Sequence, residues 1–75
     1  MCISATVLCE SVSEAVHIAS LLKTLPGVTV SESSLALGVD FTPTDTMSES
    51  DENRTIARLI DIVESVKVHG IVIAP

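Results

Sequence analysis

From residue 3 to residue 9 apolar and polar side chains alternate, with Ile3, Ala5 and Val7 on one side and Ser4, Thr6 and Leu8 on the other. A period of two predicts a strand with one buried face. Ser11 followed by Glu14 forms a capping-box pattern ahead of a run of helical period, so a helix is expected to begin near Val12. Its inward face holds Ala15, Ile18, Ala19, Leu22 and Leu25; Ser13, His17, Ser20 and Thr24 form the outward stripe. Pro26-Gly27 ends it, because the ring restricts the residue before it and glycine suits a helix stop. Val28 and Val30 alternate with Thr29 and Ser31 as a short second strand, and Glu32-Ser33-Ser34 is expected to reverse the chain. Leu35, Leu37, Val39 and Phe41 then alternate with Ala36, Gly38, Asp40 and Thr42, which is the clearest strand pattern in the chain.

Residues 42–50 turn to Thr, Ser, Pro and acid, a loop broken from the strand by Pro43. Ser48 or Ser50 is placed to cap a second helix, with Glu49, Asp51 and Glu52 at the positive end of its dipole. Ile56, Leu59, Ile60, Val63 and Val66 face inward, and Val68, Ile71, Val72 and Ile73 read as a last strand. The order βαββαβ predicts a single domain over residues 1–75: a ferredoxin-like α+β sandwich, a four-stranded antiparallel sheet with two helices on one face. Right-handed crossovers place the first and third strands at the centre. The helix-free face then presents Ser4, Thr6, Thr29, Ser31, Ala36 and Gly38, all small side chains.

The chain has 75 residues, a size at which one core supplies only a few kcal/mol of net stability. Four basic residues against ten acidic ones leave a charge of -6, which repels a phosphate backbone, and Phe41 as the sole aromatic offers no stacking platform. Nucleic acid is therefore excluded as a partner class. No apolar run reaches the roughly 20 residues needed to span a bilayer, and no Lys or Arg precedes Lys23, so the start lacks the basic region of a secretory signal. A cytoplasmic protein without membrane insertion is the expectation. Cys2 and Cys9 lie seven residues apart on one strand, ~23 Å at strand rise. A disulfide needs Cα atoms within about 7 Å.

No catalytic constellation emerges. Cys9 at the end of the first strand and His69 near the start of the last could form a thiol–imidazole pair, but no orienting third group or oxyanion donor accompanies them. A buried, inert thiol is the expectation for Cys9. Cys-x-x-Cys and His pairs at i, i+4 are absent, and a calcium loop counted from Asp45 would need Gly and Glu where Ser50 and Ile56 stand, so neither metal nor cofactor is expected. Residues 40–52 carry five acids and no base, which would steer a basic peptide toward them. The expected docking site is a floor of Ser4, Thr6, Ala36 and Gly38, with Asp40 and Asp45 as charge partners.

Ile3-Ser4-Ala5-Thr6-Val7-Leu8, Leu22-Lys23-Thr24-Leu25-Pro26-Gly27-Val28-Thr29-Val30, residues 35–39, and residues 55–66 leading to a β-branched strand resemble the NapD-type chaperones. The loop at residues 42–50 is longer than that family's link, and the last strand lacks its aromatic finish. The resemblance implies a cytoplasmic protein that binds the twin-arginine signal peptide of a periplasmic nitrate reductase as a helix. Two other readings stand beside it: an ACT-like ligand-sensing regulatory domain, and an acidic inhibitor or mimic, of viral type, that occupies a basic protein groove. Because the last strand is apolar on both sides, a homodimer through the sheet face or the edge near Ile71 is a further expectation.

Overall fold

The computed structural model describes residues 1–74. The elements follow in the order β1 (Cys2–Leu8), α1 (Val12–Lys23), β2 (Val28–Ser33), β3 (Ala36–Phe41), α2 (Glu49–Glu64) and β4 (Val68–Ala74). Every strand pairing is antiparallel and the sheet order is β2-β3-β1-β4. α1 lies over β2 and β3 while α2 reaches β1, so both helices cover one face. This is the ferredoxin-like sandwich, with β1 and β3 central as the right-handed crossovers require.

Local chemistry sets the helix starts. Ser11, in extended backbone, accepts the Glu14 N–H on its hydroxyl at 3.1 Å, and Ser48 accepts the Asp51 N–H at 3.1 Å. Ser48, not Ser50, is therefore the second cap, and each such cap contributes about 1 kcal/mol. Gly27 takes φ +76° where the chain leaves α1, and a Cβ there would stand 2.6 Å from the Thr42 carbonyl oxygen. Thr42 in turn donates its N–H to the Gly27 carbonyl at 3.0 Å, so glycine is what lets β2 and β3 begin their pairing.

The β2–β3 reversal differs from the expected Glu32-Ser33-Ser34. β2 runs on through Ser33, which pairs with Ala36, and the turn is the two residues Ser34 and Leu35, with Ser34 at φ 56°. Rungs at Glu32–Leu37 and Ser33–Ala36 lengthen the ladder and offset a left-handed serine that costs about 1–2 kcal/mol.

The core lies between sheet and helices. Ile3, Val7, Leu22, Leu37, Val39, Phe41, Leu59 and Val63 are its fully enclosed side chains, with Ala15, Ile18, Ala19 and Val66 packed among them. Leu25, Ile56 and Ile60, expected inside, are half-buried at its margin. The one buried polar side chain among the described residues, Thr55, donates its hydroxyl to the Asp51 carbonyl at 2.9 Å. β4 is the exception to this enclosure: Ile71 is half-buried and the other six residues are exposed.

Candidate functional site

Strand registers assign each side chain to a face, because directly opposed residues in an antiparallel ladder project the same way. On the helix-free face they define rows running across the sheet. One row reads Ser33, Ala36, Leu8, Val68; the next reads Ser31, Gly38, Thr6, Gly70; the third reads Thr29, Asp40, Ser4, Val72. The middle row holds nothing larger than threonine across all four strands. Leu8 and Val68 rise on one side of it and Val72 with Asp40 on the other, so the face carries a shallow trough crossing the strands. Rows two residues apart are ~6.8 Å apart along the strand, which separates the flanking rows by ~13 Å between centres.

Ser4, Thr6, Ala36 and Gly38 are thus neighbours on one surface, the arrangement expected from strand alternation alone. Asp40 joins them: its carboxylate accepts the Ser4 hydroxyl at 2.9 Å. Asp45 does not. The loop that carries it turns to the helical side, where Thr44, Thr46 and Met47 line a cleft of about 380 Å³ with Leu25, Pro26 and the arginines Arg54 and Arg58. The Met47 N–H to Thr44 carbonyl bond at 3.1 Å fixes that turn. Asp45 therefore stands apart from the sheet floor, and Asp40 is the acid set directly into it.

Ser33 at the end of β2 and the β4 residues Val68, Gly70 and Val72 belong to this face and were not assigned to it from sequence. The placement of the β4 residues depends on the β1–β4 register, Ser4 with Val72 and Thr6 with Gly70, which periodicity cannot supply. The glycines are not forced by packing. A Cβ at Gly38 would meet only the Ser31 Cβ, at 3.7 Å, and one at Gly70 would meet nothing within 4 Å. Glycine in a strand interior weakens it and marks places where another backbone comes close.

The register sets His69 opposite Val7, and its Nδ1 lies 2.7 Å from the Val66 carbonyl oxygen, at the exposed rim of the sheet. Cys9 is buried; that burial pushes its thiol pKa above the usual 9.0, and the negative charge of Glu14 pushes the same way. Both act against the thiolate that nucleophilic chemistry requires. Cys2 is exposed and free. His17 is exposed on α1, as its polar stripe predicts. Two acids in the first turn of α2 have local partners: Asp51 meets Arg54 at 3.6 Å, and Glu52 meets the amino group of Met1 at 3.6 Å. Among the described residues no three His, Cys, Asp or Glu side chains converge as a metal site would need. No helix there is long and apolar enough to cross a membrane.

Compared with protein-family models, with curated proteins and with solved structures, the chain finds no significant match in any of the three.

Proposed function

We propose that this protein is a non-catalytic binding module that docks a basic, amphipathic helical segment of a partner protein on its helix-free sheet face. The observation that carries the reading is the trough over Ser31, Gly38 and Thr6, with Asp40 at its side and Leu8 and Val68 along its opposite flank. A helix laid there meets backbone and small side chains on the floor, which permits close approach, and apolar contact from Leu8 and Val68, each at least half exposed. Asp40 supplies a carboxylate at hydrogen-bonding height for an arginine, and a net charge of -6 steers a basic segment inward. The resemblance to chaperones of twin-arginine signal peptides suggests such a peptide as the ligand, since paired arginines beside an apolar helix match an acid beside an apolar wall.

The test is a titration of ¹⁵N-labelled protein with a basic amphipathic peptide carrying two adjacent arginines. Amide shifts should concentrate on Ser4, Thr6, Gly38 and Asp40, and Asp40→Asn should weaken binding about 2- to 5-fold, the range of an exposed ion pair of up to ~1 kcal/mol. Shifts confined to the cleft beside Arg54 and Arg58, or none at all, would count against the reading.

A further inference from the structure

We infer that β4 is the pairing edge for a second copy of this chain, joined antiparallel about a two-fold axis at Ile71 so that two sheets become one. The inference does not depend on peptide docking. The phase of the ladders decides which backbone groups face the open edge. Cys9 donates its N–H to the Leu35 carbonyl at 2.9 Å, one rung beyond the paired residues of β1 and β3. Odd-numbered residues of β1 therefore bond to β3 and even-numbered ones to β4. By the same alternation Val68, Gly70, Val72 and Ala74 bond inward to β1, leaving His69, Ile71 and Ile73 with N–H and C=O directed at the open edge.

That edge has none of the usual protections. Its sequence, VHGIVIA, contains no Asp, Glu, Lys, Arg or Pro, and the register with β1 runs without a bulge. Val68, Val72 and Ile73 are 55%, 67% and 56% exposed. The opposite edge, β2, is guarded: Glu32 projects there and pairs with Lys23 of α1 at 3.1 Å. Only one of the two edges is open to pairing without opposing a charge.

A second copy fits this edge by its own symmetry. A two-fold axis at Ile71 is the one placement that pairs all seven residues of β4. Ile71 bonds to Ile71 of the second copy and His69 to Ile73, so every outward N–H and C=O of these residues finds a partner. On the helix-free face the same operation sets Val72 of one copy directly against Gly70 of the other, twice. This gives the most exposed valine of the strand a seat and fills the open space above Gly70, which nothing within the chain uses. Seven residues make an edge ~23 Å long. A contact built on one strand edge is small beside a standard-size specific interface, so the dimer is concentration-dependent. Because each copy carries -6, added salt should strengthen it.

The experiment is sedimentation equilibrium of the full chain over a wide concentration range, with amide exchange followed at both ends of that range. The expected result is a rise to twice the monomer mass. With it, His69, Ile71 and Ile73 amides should gain at least tenfold protection, while Val68, Gly70 and Val72 are protected at every concentration. Ile73→Lys, at an exposed position, should return the protein to monomer with an unchanged far-ultraviolet circular dichroism spectrum. Intermolecular contacts between Gly70 and Val72 in a mixed-label sample should report the register. A monomer at all concentrations, a dimer undiminished by Ile73→Lys, or a dimer in which His69, Ile71 and Ile73 amides exchange as in dilute protein would overturn the inference.

Discussion

Gly38 separates the needs of the fold from those of binding. It sits in the interior of a central strand, where glycine costs about 0.5–1 kcal/mol relative to alanine because its unfolded chain has more freedom to lose. Nothing in the fold demands that cost: an added Cβ would meet the Ser31 Cβ at 3.7 Å, an ordinary contact, and no positive φ is involved. Gly38→Ala should therefore stabilise the protein by about 0.5–1 kcal/mol, or about 2–8 °C in Tm for a domain of this size. Gly38→Val puts a branched side chain on the trough floor and should weaken docking of a basic helical peptide tenfold or more, about 1.4 kcal/mol. Thermal unfolding followed by circular dichroism reads the first effect, and isothermal titration with the peptide reads the second. A loss of 1 kcal/mol or more in Gly38→Ala would refute the reasoning, since the glycine would then serve the fold. Undiminished binding by Gly38→Val would show that the trough is not the dock.

Gly27→Ala should destabilise by about 2–4 kcal/mol in urea unfolding, because the left-handed φ costs ~1–2 kcal/mol and the Cβ would force the Thr42 carbonyl from 2.6 Å. Ser48→Ala should cost about 1 kcal/mol by the same assay, and Ser50→Ala close to nothing, because Ser48 alone holds the Asp51 N–H. The Cys9 thiol has a folded pKa raised above 9.0 by burial, so the folded chain keeps that proton longer than the unfolded chain. Its contribution is complete below the unfolded pKa and fades as pH rises through 9.0 toward the folded value. Between pH 7 and 10 the stability advantage of the wild type over Cys9→Ala should shrink, and a thiol reagent should modify Cys2 alone in the native protein.

The sequence carried the fold because its strongest signals are local. Alternation over Ile3 to Val7 and over Leu37 to Phe41 fixed which sides of β1 and β3 meet the helices, and the serine caps marked both helix starts. The floor of Ser4, Thr6, Ala36 and Gly38 followed, since two adjacent antiparallel strands need only their alternation to share a face. What alternation lacks is register and trajectory. The β2–β3 turn falls at Ser34 and Leu35 because ladder pairing outweighs a left-handed serine, and no glycine or asparagine marks the spot. Gly70 joined the trough through its pairing with Thr6, a relation between residues far apart in the chain. Asp45 lies outside the floor because the loop beyond Phe41 runs to the helical side, where Thr44, Thr46 and Met47 line a cleft together with Leu25 and Pro26.

Asp40 and Ser4 offer the sharpest probe of the docking face, because their side chains are joined at 2.9 Å across β1 and β3 and an arginine taking the carboxylate must disturb both. Chemical-shift mapping of the full chain with a helical peptide bearing paired arginines, repeated with lysine and with glutamate in their place, should move Ser4, Thr6, Gly38 and Asp40 together. The responses should rank arginine above lysine, with none for glutamate. Equal responses to all three peptides, or shifts that leave those four amides unmoved, would contradict a sheet face built to receive a basic helix.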